Sequence, residues 1–272
     1  MEVEFVCSGR VNLAYGALDQ RMNQAKSACP ALRSWWVWCY GWLIRVPRNA
    51  RYNPPTLTGS YRGEKMEDGP GAVKTGTSTV GITFKGGVVV GADHRATMGH
   101  FVANKSVQKL FKIGDNLALT TAGLVGHAQS LARTLAAEVS LFELRRGDSM
   151  TVRGAATLTA NILSGRPHWV QLLIVGVDSE GGSVYSIDSA GGSIPDSYCA
   201  TGSGSPYMYG VLEDGFKDNM SRDDAVALAA RSLSASAQRD AASGNGMDLA
   251  VITAKDGYVP VDQKEITAIL KK

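Results

Sequence analysis

The 272-residue sequence predicts an α+β domain built as a four-layer αββα sandwich, in which two stacked sheets lie between outer layers of helices. Two observations predict this fold. Strand-like segments come as antiparallel hairpins, and helix-like segments come in pairs, in the order strands, two helices, strands, two helices, strands. Apolar residues make up 44% of the chain and charged residues 19%, which is typical of a soluble globular protein.

The first predicted elements are two hairpins. Residues 77–84 and 88–93 are rich in β-branched residues, and Lys85-Gly86-Gly87 between them predicts a tight turn. Residues 110–113 and 117–121 form a second pair of strands around a Gly-Asp-Asn turn. Both pairs are short enough in their connections to be antiparallel neighbours.

A pair of helices is predicted next, over residues 125–146 and 152–163. In the first, apolar residues recur at three- and four-residue spacing, which places them on one buried stripe, and Gly147-Asp148 ends the helix. The stripe consists of Ala128, Leu131, Leu135, Val139 and Phe142.

The rest of the chain repeats this alternation. The remaining predicted elements are strands at residues 170–177, 183–187, 247–253 and 258–259, a helix from about Ser205, a helix ending near Arg239, and a short C-terminal helix. Ser221 is the expected N-cap of the helix that ends near Arg239, because Asp223 and Asp224 follow it and favour the positive end of a helix.

Residues 1–76 lack this patterning, and we expect them to be a leader ahead of a domain at 77–272. Four of the five Trp residues fall within residues 35–44, an apolar segment that is shorter than the ~20 residues needed to span a bilayer. Residues 53–63 are rich in Pro, Gly, Ser and Thr, which is typical of a linker.

Three interpretations of the leader remain open. We prefer the one in which translation begins at Met66, so that residues 66–76 are a short propeptide and residues 1–65 belong to a misplaced start. The second is a long propeptide. The third is a membrane-surface anchor, which the absence of an amphipathic helical pattern disfavours.

Charge and cysteine content also separate the two parts. Residues 1–76 hold ten Lys/Arg and six Asp/Glu, and the rest of the chain holds 18 and 19, so the net charge of +3 divides into +4 and −1. We therefore expect no nucleic-acid partner. Cys199 is the only cysteine after residue 76, which favours a reducing cytoplasm, and no His or Cys spacing predicts a metal, so no cofactor is expected.

From Thr77 onward the chain carries nine motifs of one known family, in the family's order and nearly its spacing. They are GTSTVGI, GADHRATMG, KLFKIGD, TTAGLVGHAQ, VQLLIVGVD, SIDSAGGS, TGSGSPYMYGVLE, AQRDAASGNGMDLAVIT and KDGY. This part of the chain resembles the β subunits of archaeal proteasomes along almost its whole length. The resemblance implies the Ntn-hydrolase fold, in which the nucleophile is the first residue of the mature chain.

The resemblance implies that Thr77 is that nucleophile, released by self-cleavage between Gly76 and Thr77. A threonine hydroxyl attacks poorly unless a base takes its proton, and a free N-terminal amine, which titrates near ~8, is a base within reach. Lys109 matches the family's catalytic lysine, whose charge favours the deprotonated forms of the hydroxyl and amine, and Asp93 matches the acid that pairs with it.

Further residues match supporting positions of the family. Ser203, Asp240 and Ser243 correspond to residues near the terminal amine, with Asp240 orienting it, although Ser203 could also be an ordinary residue of a Gly-rich turn. Gly123 corresponds to the residue whose backbone N–H binds the oxyanion, and its lack of a side chain lets a peptide pass close by.

A pocket for the side chain before the cut bond is also expected from the family's positions. Its predicted lining is Ala96, Val107, Phe111, Thr121 and Val125, of which several could be plain core residues. Because none of the five is charged, we expect a preference for large apolar residues. The backbone of Thr97 is expected to bind the substrate as an added strand.

The resemblance implies a proteolytic ring assembly. The expected partners are stacked seven-membered rings of the chain itself, rings of the proteasome α subunit, an AAA-type ATPase that unfolds substrates, and the unfolded polypeptide. A structural ring subunit without activity is an alternative, disfavoured because the six matching catalytic positions occur together. Another Ntn-type amidohydrolase, including a simpler bacterial two-ring protease, is a third possibility.

Overall fold

The computed structural model describes residues 76–165 and 168–271, together with four short strands nearer the N terminus. The chain divides into two compact units, Met1–Gly69 and Pro70–Lys272. In the first unit the strands are β1 (Glu2–Phe5), β2 (Gly9–Asn12), β3 (Trp35–Cys39) and β4 (Trp42–Val46), and they form one sheet in the order β2-β1-β3-β4. The Trp-rich segment therefore contributes two strands that the sequence did not predict, whereas the predicted linker and the candidate start at Met66 lie outside the described residues.

The second unit mixes strands and helices and is an α+β fold. Its strands are β5 (Thr79–Phe84), β6 (Gly87–Asp93), β7 (Ala96–Met98), β8 (Phe101–Asn104), β9 (Leu110–Lys112), β10 (Leu117–Gly123), β11 (Val170–Asp178), β12 (Gly181–Ile187), β13 (Ser193–Asp196), β14 (Tyr198–Thr201), β15 (Met247–Thr253) and β16 (Gly257–Pro260). Its helices are α1 (Val125–Arg146), α2 (Val152–Gly165), α3 (Ser205–Gly215), α4 (Arg222–Arg239) and α5 (Gln263–Leu270).

Two five-stranded sheets organise the unit. One has the order β14-β5-β6-β15-β16 and the other β13-β12-β11-β10-β9, while β7 and β8 form a separate hairpin. The pairs within each five-stranded sheet are antiparallel, as the hairpins in the sequence predicted. Strand β5 lies between β14 and β6, so the residues just before it lie near the middle of a sheet and not at its edge.

Three hydrophobic clusters join these elements. Successive side chains of a strand point to opposite faces of its sheet, so one strand can contribute to two clusters. In β6, Val88 and Val90 pack in a cluster with residues of the other sheet such as Leu173, while Val89 packs in a second cluster with α3 and α4. A third cluster joins α1 and α2 to β10 and β11. Two of the clusters therefore join strands to helices, and the remaining one joins strands of the two sheets.

The helix ends follow the signals in the sequence. Helix α1 has the predicted bounds, its predicted stripe is buried apart from the partly buried Phe142, and Gly147 ends it in the left-handed conformation with φ 70°. At α4 the Ser221 side chain accepts a hydrogen bond from the Asp224 N–H, which confirms the predicted cap. Among the helices of the described residues, none is both long and apolar enough to cross a membrane.

Tyr209 on α3 carries a partly buried phenol, and its raised pKa predicts that folding stability is sensitive to alkali. Its oxygen accepts the Ala200 N–H at 3.2 Å and lies 3.3 Å from the Cys199 sulfur, and burial raises the pKa of Tyr209 to about 12. Because this pKa is above the ordinary value of ~10, the group's stabilising contribution is present below pH ~10 and is lost as the pH rises toward 12.

We therefore expect Tyr209→Phe to reduce the loss of stability between pH ~10 and 12, although the lost hydrogen bond costs about 1 kcal/mol at pH 7. Urea unfolding of the full chain at pH 8 and pH 11 measures both effects. Tyr207→Phe on the same helix, whose side chain is exposed, is the control and should keep the wild-type alkaline loss. An equal alkaline loss in Tyr209→Phe and wild type would contradict the prediction.

Candidate active site

Thr77 lies two residues before the start of β5, with 4% of its surface exposed. Its hydroxyl donates a hydrogen bond to the carbonyl oxygen of Gly76 at 2.7 Å. The Thr77 carbonyl accepts the Gly204 N–H at 3.3 Å, so the residue is held from the neighbouring turn as well as from its own strand. The hydroxyl is thus fixed beside the Gly76–Thr77 peptide bond, where self-cleavage is predicted.

Gly76 is required by close packing. A Cβ built at this position would lie 1.8 Å from the Cβ of Ala242 and 2.9 Å from the Ser203 hydroxyl oxygen. Its φ is outside the left-handed region in which glycine is favoured. Glycine is therefore needed here because a side chain would collide with the loop that follows α4.

Lys109 and Asp93 form a buried ion pair next to Thr77. Lys109 precedes β9 and Asp93 ends β6, and their side chains, 6% and 2% exposed, meet at 2.6 Å. Lys109 Nζ also donates to the Arg95 carbonyl at 2.5 Å and reaches the Gly76 carbonyl at 3.4 Å. Burial lowers the pKa of Lys109 below its ordinary value, and the charge and hydrogen bond of Asp93 act in the opposite direction.

The Asp93 carboxylate is held by three backbone N–H groups in addition to the lysine. Ser78 N–H donates to Oδ1 at 2.9 Å, while Arg95 N–H and Gly244 N–H donate to Oδ2 at 3.0 and 2.8 Å. Charge-assisted bonds of this kind fix a carboxylate in one orientation. Lys109 is therefore presented to the Gly76–Thr77 peptide by an acid that has little freedom to move.

The predicted supporting residues form a series of hydrogen bonds that begins at the backbone nitrogen of Thr77. Thr77 N–H donates to Ser203 Oγ at 3.1 Å, and the Ser203 hydroxyl donates to Asp240 Oδ2 at 2.6 Å. Ser243 donates to the same carboxylate oxygen at 2.6 Å. The structure thus brings Ser203, Asp240 and Ser243 together, on the side of Thr77 where a free amine would lie.

Gly123 ends β10 with φ 120°, a conformation that only glycine adopts readily. A Cβ at Gly123 would lie 2.3 Å from the Trp169 carbonyl oxygen. Pairing of Gly123 with Val170 in the sheet fixes the local direction of the chain. Both the conformation and the close packing therefore require glycine at this rim of the site.

A small cavity opens beside Thr77. The lining residues are Gly76, Thr77, Ala96, Val107, Gln108, Lys109, Phe111, Thr121, Gly123, Val125, Ala128 and Gln129. All five residues predicted for the pocket are among them. Gln108, Ala128 and Gln129 were missed, although Gln129 follows Val125 by four residues on α1 and could have been placed on the same face by helical spacing.

Other predictions meet partial tests. The Thr97 hydroxyl accepts the Gly76 N–H at 3.1 Å, a contact of the side chain that was not foreseen, whereas the expected backbone contact with substrate stays a prediction. His94 Nε2 lies 3.0 Å from Asp248 Oδ1. Sequence reasoning also missed Arg95, whose guanidinium binds Asn245 Oδ1 at 2.7 Å and so attaches to the loop after α4. In the described part of the chain, no group of three His, Cys, Asp or Glu residues could hold a metal ion.

Comparison with known proteins identifies the family. The family model described as "Proteasome subunit" matches residues 73–252, well over half of the chain. The chain belongs to the proteasome subunit family. The matched region includes every candidate residue of the site and leaves most of the leader outside.

Relatives named "Proteasome subunit beta" are similar to this proteasome subunit over nearly their own full length. The protein from Archaeoglobus fulgidus is 49% identical over 201 residues, which cover 72% of this chain and 94% of that protein. The one from Picrophilus torridus is 48% identical over 203 residues, or 74% and 96% of the two chains. The one from Methanobrevibacter ruminantium is 46% identical over 197 residues, or 72% and 95%.

Proposed function

We propose that the chain is the catalytic β subunit of a proteasome core particle, a threonine-type endopeptidase with Thr77 as its nucleophile. The observation that carries the proposal is the position of the Thr77 hydroxyl, 2.7 Å from the Gly76 carbonyl oxygen, beside the buried Lys109–Asp93 pair. The relatives named proteasome subunit beta support the β type, and the two helix-covered sheets support the four-layer αββα arrangement of the Ntn-hydrolase fold.

The first reaction would be activation of the subunit itself. Thr77 Oγ loses its proton and attacks the carbonyl carbon of Gly76, the C–N bond of that peptide breaks as its nitrogen takes up a proton, and an ester joins Gly76 to the threonine oxygen. Water then hydrolyses the ester, which leaves a carboxylate on Gly76 and a free amine on Thr77. Lys109 Nζ, 3.4 Å from the Gly76 carbonyl oxygen, is within reach of the negative charge that develops there.

The freed amine would then serve as the base for peptide hydrolysis. It takes the proton of the Thr77 hydroxyl, the oxygen attacks a substrate carbonyl, and the amine returns the proton to the leaving nitrogen. Water cleaves the resulting ester and regenerates the enzyme. Ser203 and Asp240 would hold the amine, since Ser203 already bonds the Thr77 nitrogen, and the Gly123 N–H would bind the oxyanion.

The cavity beside Thr77 would accept the side chain before the cut bond. Its predicted members Ala96, Val107, Phe111, Thr121 and Val125 carry no charge, which supports a preference for large apolar residues. Ala96 at the start of β7 and Gly123 at the end of β10 line the cavity, so a substrate could lie between Thr97 and Gly123 as an extended strand.

The wider assembly is proposed from the family. The subunit would form stacked heptameric rings with α-subunit rings in the cytoplasm and would receive unfolded chains from an AAA-type ATPase, without a nucleic-acid or membrane partner. The residues ahead of Thr77 would be removed on activation, which means residues 66–76 if translation begins at Met66 and residues 1–76 if it begins at Met1.

The intact mass of the subunit after co-expression with its α partner tests the proposal. We expect a mature chain that begins at Thr77 and an assembly with peptidase activity. A chain that keeps Gly76 would have no free amine and would indicate a structural ring subunit. Failure to assemble with the α ring would favour another Ntn-type amidohydrolase.

A further inference from the structure

A chain of serine hydroxyls lies buried behind Thr77. Ser78 Oγ is 2.6 Å from Ser243 Oγ and 2.5 Å from Ser236 Oγ, and Ser243 bonds the Asp240 carboxylate at 2.6 Å. The three serines are fully buried, with 0% of their surface exposed. Buried polar groups of this kind are costly unless every one is bonded, so their arrangement needs a physical reason.

The hydroxyl protons of these three serines can point in one direction only. A carboxylate accepts and cannot donate, so the single proton of Ser243 is used on Asp240. The bond between Ser78 and Ser243 must then take its proton from Ser78, and the bond between Ser236 and Ser78 must take its proton from Ser236. All three hydroxyl dipoles therefore point toward the Asp240 carboxylate, and consecutive bonds of this kind strengthen one another.

The two ends of this serine chain, Ser236 and Asp240, are also joined through the backbone of helix α4. Asp240 is the C-cap of α4, and its N–H donates to the Ser236 carbonyl at 2.8 Å. Ser236 thus holds Asp240 through the backbone of the helix and again through Ser78 and Ser243. Because the chain ends at a hydroxyl that is fully buried in α4, it offers no exit for a proton, and its role is to fix geometry.

Ser78 also joins the two acidic groups of the site. Its N–H binds Asp93 Oδ1 at 2.9 Å while its hydroxyl belongs to the chain that ends on Asp240. Space around it is closed, since a Cβ at Gly204 would lie 1.9 Å from Ser236 Oγ and 2.0 Å from Ser78 Oγ. The lysine side and the amine side of Thr77 are therefore aligned through one residue.

We propose that Ser236, acting through Ser78 and Ser243, is a positioning residue that fixes the Asp240 carboxylate and thereby Ser203 against the amine of Thr77. This inference rests on the proposed function, because the amine exists only after cleavage at Gly76. Ser236 itself touches no reacting atom.

The test compares Ser236→Ala with Ser232→Ala in the complete assembly. Ser232 is also fully buried on α4, one turn earlier, but its hydroxyl donates to the Leu228 carbonyl within the helix. We expect Ser236→Ala to lower kcat per mature Thr77 terminus by about 3- to 10-fold with KM unchanged, the effect of losing one buried hydrogen bond that aligns a catalytic group. Ser232→Ala should leave kcat within about 2-fold of wild type.

A second measurement is independent of activity. The shifts in urea midpoint caused by Ser236→Ala and by Ser243→Ala should not add up in the double variant. The two side chains do not bond each other, but both bond Ser78, so each substitution changes the effect of the other. The matching cycle of Ser232→Ala with Ser243→Ala should be additive. If Ser236→Ala fails to assemble, Ser236→Cys retains a weak donor and should give a smaller loss of kcat.

The outcomes separate the two proposals. Equal kcat for the Ser236→Ala and Ser232→Ala assemblies, or an additive Ser236–Ser243 cycle, would overturn the positioning role while leaving the protease intact. A wild-type assembly that keeps Gly76 and has no peptidase activity would overturn the proposed function, and with it the catalytic part of this inference.

Discussion

Replacing Lys109 by alanine should abolish both self-cleavage at Gly76 and peptidase activity, with a loss of about 10³-fold or more in kcat/KM. The lysine Nζ lies 3.4 Å from the Gly76 carbonyl oxygen, and Asp93 holds it there at 2.6 Å. The intact mass of the subunit and the hydrolysis of an apolar peptide by the α/β assembly measure the two effects.

The same substitution has a folding cost that must be separated from catalysis. Removing Lys109 leaves the Asp93 carboxylate buried without its cation, a change that typically costs about 3–5 kcal/mol. The double variant Lys109→Met with Asp93→Asn removes both charges, so it should be more stable than Lys109→Ala and equally inactive. Activity in a folded double variant would contradict the assigned role.

Lys112 provides the matched control. It pairs with Asp115 at 2.6 Å, but both side chains are largely exposed, and exposed pairs contribute about 0–1 kcal/mol. Lys112→Ala should therefore process and cleave peptides like the wild type.

Replacing Gly76 by alanine should slow self-cleavage by at least about 10-fold, because the new methyl group cannot be accommodated beside Ala242. The peptide must then shift, which moves the Gly76 carbonyl away from the Thr77 hydroxyl and from Lys109. The appearance of mature chain over time, followed by mass after mixing with the α partner, measures this rate.

A compensating change makes the steric explanation specific. Ala242→Gly removes the worst of the clashes that Gly76→Ala creates, while the Ala242 Cα and the Ser203 hydroxyl oxygen would still lie 2.9 Å from the new Cβ, so the double variant should recover part of the wild-type rate. Gly210→Ala on α3 is the control, since its added Cβ meets no atom within 4 Å and should leave processing unchanged. A double variant as slow as Gly76→Ala would show that glycine is needed for another reason.

Much of the fold could be predicted because its signals are local. The stripe and the terminal Gly147 give α1 its bounds, and Ser221 marks the start of α4. The strands β7, β8, β13 and β14 were missed since they are three or four residues long, and β8 and β13 in particular are largely exposed, so they lack the alternation that predicts a strand. The four strands of the first unit were missed for a related reason, as their segments are short and carry no clear period.

The candidate site could also be predicted only in part. Its principal residues and pocket lining could be named from the resemblance, and the structure gathers them around Thr77. The roles of Ser78, Ser236 and Arg95 could not be predicted, because each depends on a partner that lies far away in the sequence. The same holds for Gly76, whose need for space is set by Ala242.

The position of β5 has a consequence for the chain end that cleavage would create. Most protein termini fray within a few residues, and their amide hydrogens exchange quickly with solvent. Here the new terminus would be followed within two residues by Thr79, which pairs with Thr201 on one side and Ala92 on the other. Amides of β5 should therefore exchange only through global unfolding, so that a freshly cut end would be among the slowest-exchanging parts of the protein.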